Sequence, residues 1–157
     1  MPFFTITTSL PLNKEEKEKI SLTITKLTVS ELKVAPDKVQ VLVQTGDKEN
    51  FARSGVSPTS STFSSDSRKV DGLFEASYFS GTVSEEDLIL VELDIWRNFS
   101  VNEKSILGYK ITDFFKKEYH VSGDNVLILI RDMDPSNWIQ NGVSGIDEEF
   151  LDRSRNR

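Results

Sequence analysis

One pattern of strand, helix and strand occurs twice in this chain, at an offset of 87 residues, the distance from Asn13 to Ser100. Each of these two residues is followed three positions later by a glutamate, which is the capping-box signal for the start of a helix. A strand-like run precedes each helix start, residues 3–8 in the first copy and a run centred on residues 90–93 in the second. The repeat constrains the fold strongly, because one unit must be built twice in the same way.

Apolar residues behind each cap recur mostly at helical spacing and predict one buried helix face. A turn with an aspartate, Asp37 or Asp124, then leads to a second strand in each copy. Two strands joined by a crossover helix in one sheet run parallel, with a right-handed connection. We therefore predict an α+β fold in which two β-α-β repeats form a four-stranded mixed sheet with two helices on one face.

The 157 residues, 37% of them hydrophobic, are enough to bury one core, so we expect a single domain over residues 1–157. The serine-rich stretch GVSPTSSTFSSDS between the repeats predicts a mobile insertion, in which residues 74–79 are a candidate short hairpin strand. The predicted parts are repeat one (2–44), an insertion loop (45–86), repeat two (87–142) and a C-terminal arm (143–157).

Charge and composition disfavour several classes of protein. The net charge is −6, without a block of lysine and arginine, which argues against a nucleic-acid partner. The absence of cysteine excludes disulfides and thiol nucleophiles, and the single histidine, His120, does not make a metal site, so no metal is expected. No apolar run approaches 18 residues and no leader-like segment opens the chain, so we expect no membrane contact and a cytoplasmic location.

A proline directly follows the first methionine, in the stretch MPFFTITT. Proline has no backbone N–H and suits the first residue of a strand, which is a sufficient structural explanation. Removal of Met1, which is usual before a small second residue, would instead give Pro2 a secondary amine. An α-amino group titrates near ~8, and burial or a nearby cation disfavours its charged form. Pro2 is therefore also a candidate base or acid.

These features resemble the tautomerase superfamily: Pro2 at the start of a β-α-β unit, a second such unit, and the closing stretch DMDPSNWIQNG. The two-unit length is similar to the malonate semialdehyde decarboxylase and cis-3-chloroacrylic acid dehalogenase branches. Asn137, Trp138 and Gly142 fit the closing pattern of the decarboxylase branch best. The resemblance implies a homotrimer, or a hexamer, with proline-lined pockets, no cofactor and a small carboxylate-bearing substrate.

The resemblance also implies three catalytic residues. Pro2 would act as the base or the acid, and Arg97 falls on one of two arginines that hold the substrate carboxylate. Phe99 stands at the position of the second arginine. Asp37 falls on an aspartate that assists together with water, although its partner in the repeat, Asp124, makes a turn-stabilising role an equally simple explanation.

Further substrate-binding positions follow from the same resemblance. Trp138 falls on an aromatic wall residue, which packing alone would also explain, and Gln140 replaces its aromatic companion. Dehalogenation is disfavoured, because the histidine, tyrosine and glutamate of that branch are missing here, with Leu129 and Gln140 at two of these positions.

Three functions follow as alternatives. The first is keto–enol proton transfer on a small 2-oxo acid, with neutral Pro2 as the base and Arg97 on the carboxylate. The second is decarboxylation of a 3-oxo acid by a protonated Pro2, with Asp37 orienting water. The third is an inactive relative that binds a small acid or a protein partner, which the loss of one arginine supports.

Overall fold

The computed structural model describes residues 1–68 and 86–156. Its main sheet has four strands in the order β2-β1-β3-β4, and two long helices connect the parallel pairs. The strands are β1 (Phe3–Thr8), β2 (Gln40–Thr45), β3 (Ile89–Trp96) and β4 (Val126–Met133), with a small pair β5 (Ile139–Gln140) and β6 (Val143–Ser144). The helices are α1 (Lys14–Leu32), α2 (Phe63–Asp66), α3 (Val101–Tyr119) and α4 (Phe150–Arg153).

The predicted α+β fold with a mixed sheet is confirmed. β1 runs parallel to β2 and β3 runs parallel to β4, while β1 and β3 are antiparallel. Both long helices start with a complete capping box. In the first, the Glu16 N–H donates to Asn13 Oδ1 at 2.9 Å and the Asn13 N–H donates to Glu16 Oε2 at 2.8 Å. Ser100 and Glu103 make the same pair in the second.

Both long helices pack on one face of the sheet, where alternate strand residues are buried. In β3 these residues are Ile89, Val91, Leu93 and Ile95. The side chains between the core-facing positions point to the opposite face. There Leu42, Leu127 and Leu129 are exposed in the single chain. This face thus exposes apolar side chains that no described helix covers, beside the ion pairs that Arg131 makes with two carboxylates of β3.

The repeat continues past the second strand of each unit. A 3₁₀ turn, a short antiparallel pairing and a one-turn helix follow β2, and the same three features follow β4 at the same offset of 87 residues. They are the turns Lys48–Asn50 and Pro135–Asn137, the pairings of Arg53 with Val56 and of Gln140 with Val143, and the helices α2 and α4. The described part of the expected insertion, residues 45–68, thus has the architecture of the closing segment, residues 132–155. The candidate strand at 74–79 lies outside the described residues.

Residues that occupy the same place in the two repeats are called counterparts below. Arg68 and its counterpart Arg155 both bind the aspartate that precedes the second strand of a unit. Arg68 donates to Asp124 at 2.7 Å and to buried Glu86 at 2.9 Å. Arg155 holds both carboxylate oxygens of Asp37 at 2.8 Å. The Arg68 side chain is only 6% exposed, whereas that of Arg155 is 40% exposed.

The two arginines are expected to differ in their effect on stability. Arg68→Ala leaves the buried Glu86 carboxylate without its cation and should lower the free energy of unfolding by about 3 to 5 kcal/mol. Arg155→Ala removes an exposed pair and should cost at most about 1 kcal/mol. Denaturant unfolding at one protein concentration measures both values. Equal losses in the two variants would contradict a structural role of the buried network.

Acid is expected to weaken the same network. Burial alone would raise the pKa of the Asp124 carboxyl, but hydrogen bonds from Arg68 and Ser122 lower it to about 2. A carboxyl whose pKa is lower in the folded chain stabilises the fold above its ordinary pKa, and this contribution is lost as the pH falls towards 2. Unfolding curves between about pH 4 and pH 2 should therefore show a smaller acid loss in Arg68→Ala than in the unchanged chain.

Candidate active site

β1 is one of the two central strands of the sheet, and the two residues before it, Met1 and Pro2, are both buried. The position of Pro2 does not require a backbone N–H, and the Pro2 carbonyl accepts a hydrogen bond from the Gln40 N–H at 3.2 Å. Burial also lowers the pKa of the Met1 amine from its ordinary value near 8 to about 6. An amine at this end of the strand is therefore placed in surroundings that favour its neutral form.

The register of the sheet identifies the neighbours of the chain start. Phe3 lies opposite Gln40 of β2 and Asp94 of β3. Because β1 and β2 are parallel and β1 and β3 antiparallel, continuing the register by two residues brings Met1 between Lys38 and Trp96. The ends of three strands thus meet around Met1.

The closing segment covers this end of the sheet. The Phe150 ring lies 5.5 Å from the Trp96 ring, and Lys38 Nζ lies 5.4 Å from the centre of the Phe150 ring. A Cβ atom at Gly145 would stand 2.5 Å from the Pro135 oxygen, so the segment folds back too tightly for any side chain there. Met1, Pro2, Lys38, Trp96 and Phe150 together are called the proline site below.

Arg97 directly follows β3 and Trp96, which belongs to the proline site. Its backbone N–H donates to the Met133 carbonyl, which fixes the main chain there. Its side chain is 66% exposed and forms an ion pair with Asp134 at 2.6 Å. The guanidinium is therefore accessible to a ligand, which would have to compete with one carboxylate.

Asp37 is exposed and faces the closing segment. Hydrogen bonds from Arg155 to its two oxygens lower the pKa of the Asp37 carboxyl and leave it ionised. Asp37 thus holds the C-terminal end of the closing segment to the start of β2.

The other three predicted binding residues lie in different surroundings. Trp138 is half-buried, and its backbone N–H donates to the Pro135 carbonyl. Gln140 enters the proline site, where its Oε1 accepts a hydrogen bond from Lys38 at 3.2 Å. Phe99 packs against the hydrophobic core instead.

Sequence reasoning missed Lys38, Phe150 and Ser154 as parts of this site. Lys38 is 2% exposed, and its Nζ donates to Ser154 Oγ at 2.7 Å. A signal was present, since the triplets GVS at 55–57 and at 142–144 are identical and 87 residues apart. Extending the repeat through these triplets would have shown the closing segment to be a structural element.

The counterpart of the proline site, at the other end of the sheet, contains a cavity of about 390 Å³. Its lining includes Leu88, Ile89 and Asn125, the counterparts of Met1, Pro2 and Lys38. A cavity of this size suits a small molecule, so a unit of this fold has room for a ligand near the start of its first strand.

Within residues 1–68 and 86–156, no cluster of histidine, cysteine and acidic side chains is arranged to hold a metal ion. None of the described helices is both long and apolar enough to cross a membrane.

Comparison with known proteins finds no matching family model and no similar curated sequence. Solved structures, in contrast, match over most of the chain. Pt0534 inactivated by 2-oxo-3-pentynoate has a TM-score of 0.69 at 12% identity, covering 92% of this chain and 97% of its own. A fused 4-OT described as a wild-type symmetric trimer has a TM-score of 0.68 at 11% identity, with 92% and 98% covered. A malonate semialdehyde decarboxylase inhibited by 3-bromopropiolate has a TM-score of 0.64 at 12% identity, with 95% and 94% covered.

These neighbours match this chain over nearly the full length of both chains. The predicted resemblance is thereby confirmed at the level of the fold. The chain has the fold of the tautomerase superfamily.

Proposed function

We propose that the chain, once Met1 is removed, catalyses keto–enol proton transfer on a small 2-oxo acid with the Pro2 amine as the base. The observation that carries this proposal is the burial of the chain start, which lowers the pKa of the Met1 amine to about 6. A proline amine in the same surroundings would be largely neutral at pH 7 and able to accept a proton. The inactivation of the similar protein Pt0534 by 2-oxo-3-pentynoate, a 2-oxo acid, supports this substrate class.

In the proposed reaction, the substrate lies at the proline site with its carboxylate on Arg97. The planar guanidinium offers a bidentate grip on a carboxylate, and the Arg97 side chain is largely exposed. Pro2 removes a proton from one atom of the keto–enol system and returns it to another. Trp138 and Gln140 would line the bound substrate, and no cofactor takes part.

Decarboxylation of a 3-oxo acid is the second candidate, supported by the similarity to malonate semialdehyde decarboxylase. It requires a protonated Pro2 and an aspartate that is free to orient water. The low pKa of the Met1 amine and the engagement of both Asp37 oxygens with Arg155 favour proton transfer by a neutral amine.

Turnover by the Met1-free chain tests the proposal. An intact mass lower by one methionine identifies that form, and the loss of enol absorbance follows the ketonisation of phenylenolpyruvate. Turnover of this enol supports the proposal. If the chain instead releases carbon dioxide from a 3-oxo acid, the result favours a decarboxylase. If it turns over neither substrate, the result favours a binding protein.

We also propose that the chain forms a homotrimer through the open face of its sheet. Sedimentation should then give three times the chain mass of 17.8 kDa at micromolar concentration. Leu127→Asp, which places a charge on this face, should yield monomers. Leu22→Asp is the matched control, because Leu22 is 55% exposed on α1 and Leu127 is 56% exposed on β4. A stable monomer of the unchanged chain would contradict the proposal.

A further inference from the structure

Lys38 is a buried cation in the proline site, and its neighbours satisfy it only in part. Its ammonium donates to two neutral acceptors, Ser154 Oγ at 2.7 Å and Gln140 Oε1 at 3.2 Å. The nearest carboxylate among the described residues, Asp37, is 3.7 Å away and already holds Arg155 with both oxygens. An ammonium has three donors, and burying its charge is costly unless an anion is near. The site therefore suits an additional negatively charged oxygen.

The fold itself does not require a cation at this position. Asn125, the counterpart of Lys38, is equally buried at 2% exposure and is neutral. Its side chain donates to Glu86 and accepts from Arg53. The unit that begins with Pro2 has a lysine there, whereas the other unit has an amide within a network of ion pairs. The charge of Lys38 is thus specific to the half of the chain that carries the proline.

Lys38 also lies next to the place that Met1 fills. In the sheet Met1 stands between Lys38 and Trp96, and the Phe150 ring approaches both flanking side chains within about 5.5 Å. In the Met1-free chain these side chains would border the space beside the Pro2 amine. A substrate that presents a carbon acid to Pro2 would then place its polar oxygens near the Lys38 ammonium.

We propose that Lys38 stabilises the enolate oxygen that forms when Pro2 takes a proton from the substrate. This inference rests on the proposed function. Pro2 nitrogen takes the proton from C3, the C–H electron pair becomes the C2–C3 double bond, and the carbonyl electron pair moves to the oxygen at C2. Return of the proton from Pro2 to that oxygen gives the enol. A preorganised cation acts most strongly on the charge that develops in this step.

Binding of oxalate tests the inference without turnover. Oxalate carries a charged oxygen where pyruvate has its neutral keto oxygen, and both compounds share the carboxylate expected on Arg97. Trp96 and Trp138 are the two tryptophans of the chain and both lie at this end of the sheet, so their fluorescence reports binding. The Met1-free chain should bind oxalate more tightly than pyruvate. Lys38→Asn should weaken oxalate binding about 30-fold and pyruvate binding less than about threefold.

Two further variants separate charge from packing. Ser154→Ala removes a hydrogen bond to Lys38 but keeps the charge, so it should retain the preference for oxalate. Lys38→Met keeps the side-chain length and replaces Lys38→Asn as the uncharged variant if the latter does not fold. An unchanged chain without a preference for oxalate over pyruvate would overturn the inference, as would an uncharged variant that keeps the preference.

Failure of this inference and failure of the proposed function give different results. A Lys38-dependent preference for oxalate in a chain that turns over no enol would leave Lys38 as an anion-binding residue and reject catalysis by Pro2. Turnover that depends on Pro2, together with oxalate binding that does not depend on Lys38, would reject the role of Lys38 alone.

Discussion

Protein prepared with Met1 retained is expected to show no measurable turnover of phenylenolpyruvate, and protein produced together with a methionine aminopeptidase, which removes Met1 during synthesis, is expected to be active. With Met1 in place, the nitrogen of Pro2 is an amide and cannot accept a proton. The Met1 side chain is also buried at the start of β1, so a substrate has no access to that nitrogen. Intact mass and enol absorbance, measured on both preparations, relate the removal of Met1 to the activity.

Pro2→Ala and the pH profile complete this test. The alanine variant keeps an N-terminal amine, but a primary and more mobile one, so its activity should fall steeply without disappearing. In the Met1-free chain the catalytic efficiency should decrease as the pH falls through the pKa of the amine, because the base is lost on protonation. Burial should place this pKa below the ~8 of an ordinary α-amino group. Equal activity with and without Met1 would end the proline mechanism.

Arg97→Ala is expected to lower the catalytic efficiency by roughly two to three decades, or about 2 to 4 kcal/mol in transition-state stabilisation. The reason is the loss of the charge-assisted grip on the substrate carboxylate. Arg97→Lys should restore little, because an ammonium lacks the bidentate fork. The fold should remain intact, since the Arg97 side chain is largely exposed and, among the described residues, forms its ion pair with Asp134.

Arg153→Ala is the matched control for Arg97→Ala. Arg153 is also an exposed arginine that pairs with an aspartate, Asp147, and it is not one of the residues of the proline site. Its replacement should leave the efficiency unchanged. If the two variants lose the same activity, or if Arg97→Ala loses none, Arg97 is a surface residue and the carboxylate binds elsewhere.

Local signals carried the prediction of the fold. The two long helices begin at capping boxes, Asn13 with Glu16 and Ser100 with Glu103. Each capping box joins residues only three positions apart, so a sequence pattern shows it directly. The parallel arrangement within each unit then follows from the crossover connection. The antiparallel pairing of β1 with β3 depends on contacts between residues some 80 positions apart. In the sequence, only the repeat indicated that the two units share one sheet.

The site was harder to predict, because its contacts span most of the chain. Lys38 looks like a solvated turn residue in the sequence, and its burial depends on Ser154, 116 residues later. Asp37 is a carboxylate before a strand, for which the resemblance implies a catalytic role, and in the structure it pairs with Arg155. Phe99 stands at the position of the second arginine in the family that the chain resembles, and it packs against the core. A charged or aromatic residue is easily recognised in a sequence, whereas the distant residue that it contacts in the fold is not.

The pairing of β1 with β3 relates the two halves by a local two-fold axis. Phe3 lies opposite Asp94 and Thr7 lies opposite Leu90, and exchanging each residue with its counterpart gives the same two pairs. A ring of three such chains would contain six similar places, one at the start of the first strand of each unit. Three of them would have a proline with a buried lysine, and the three between them would have a network of ion pairs around an asparagine. The proposed chemistry would then be confined to the three places that have a proline. The places between are free to diverge for stability or for contacts with other molecules, a freedom that a ring of six identical half-length chains would not have.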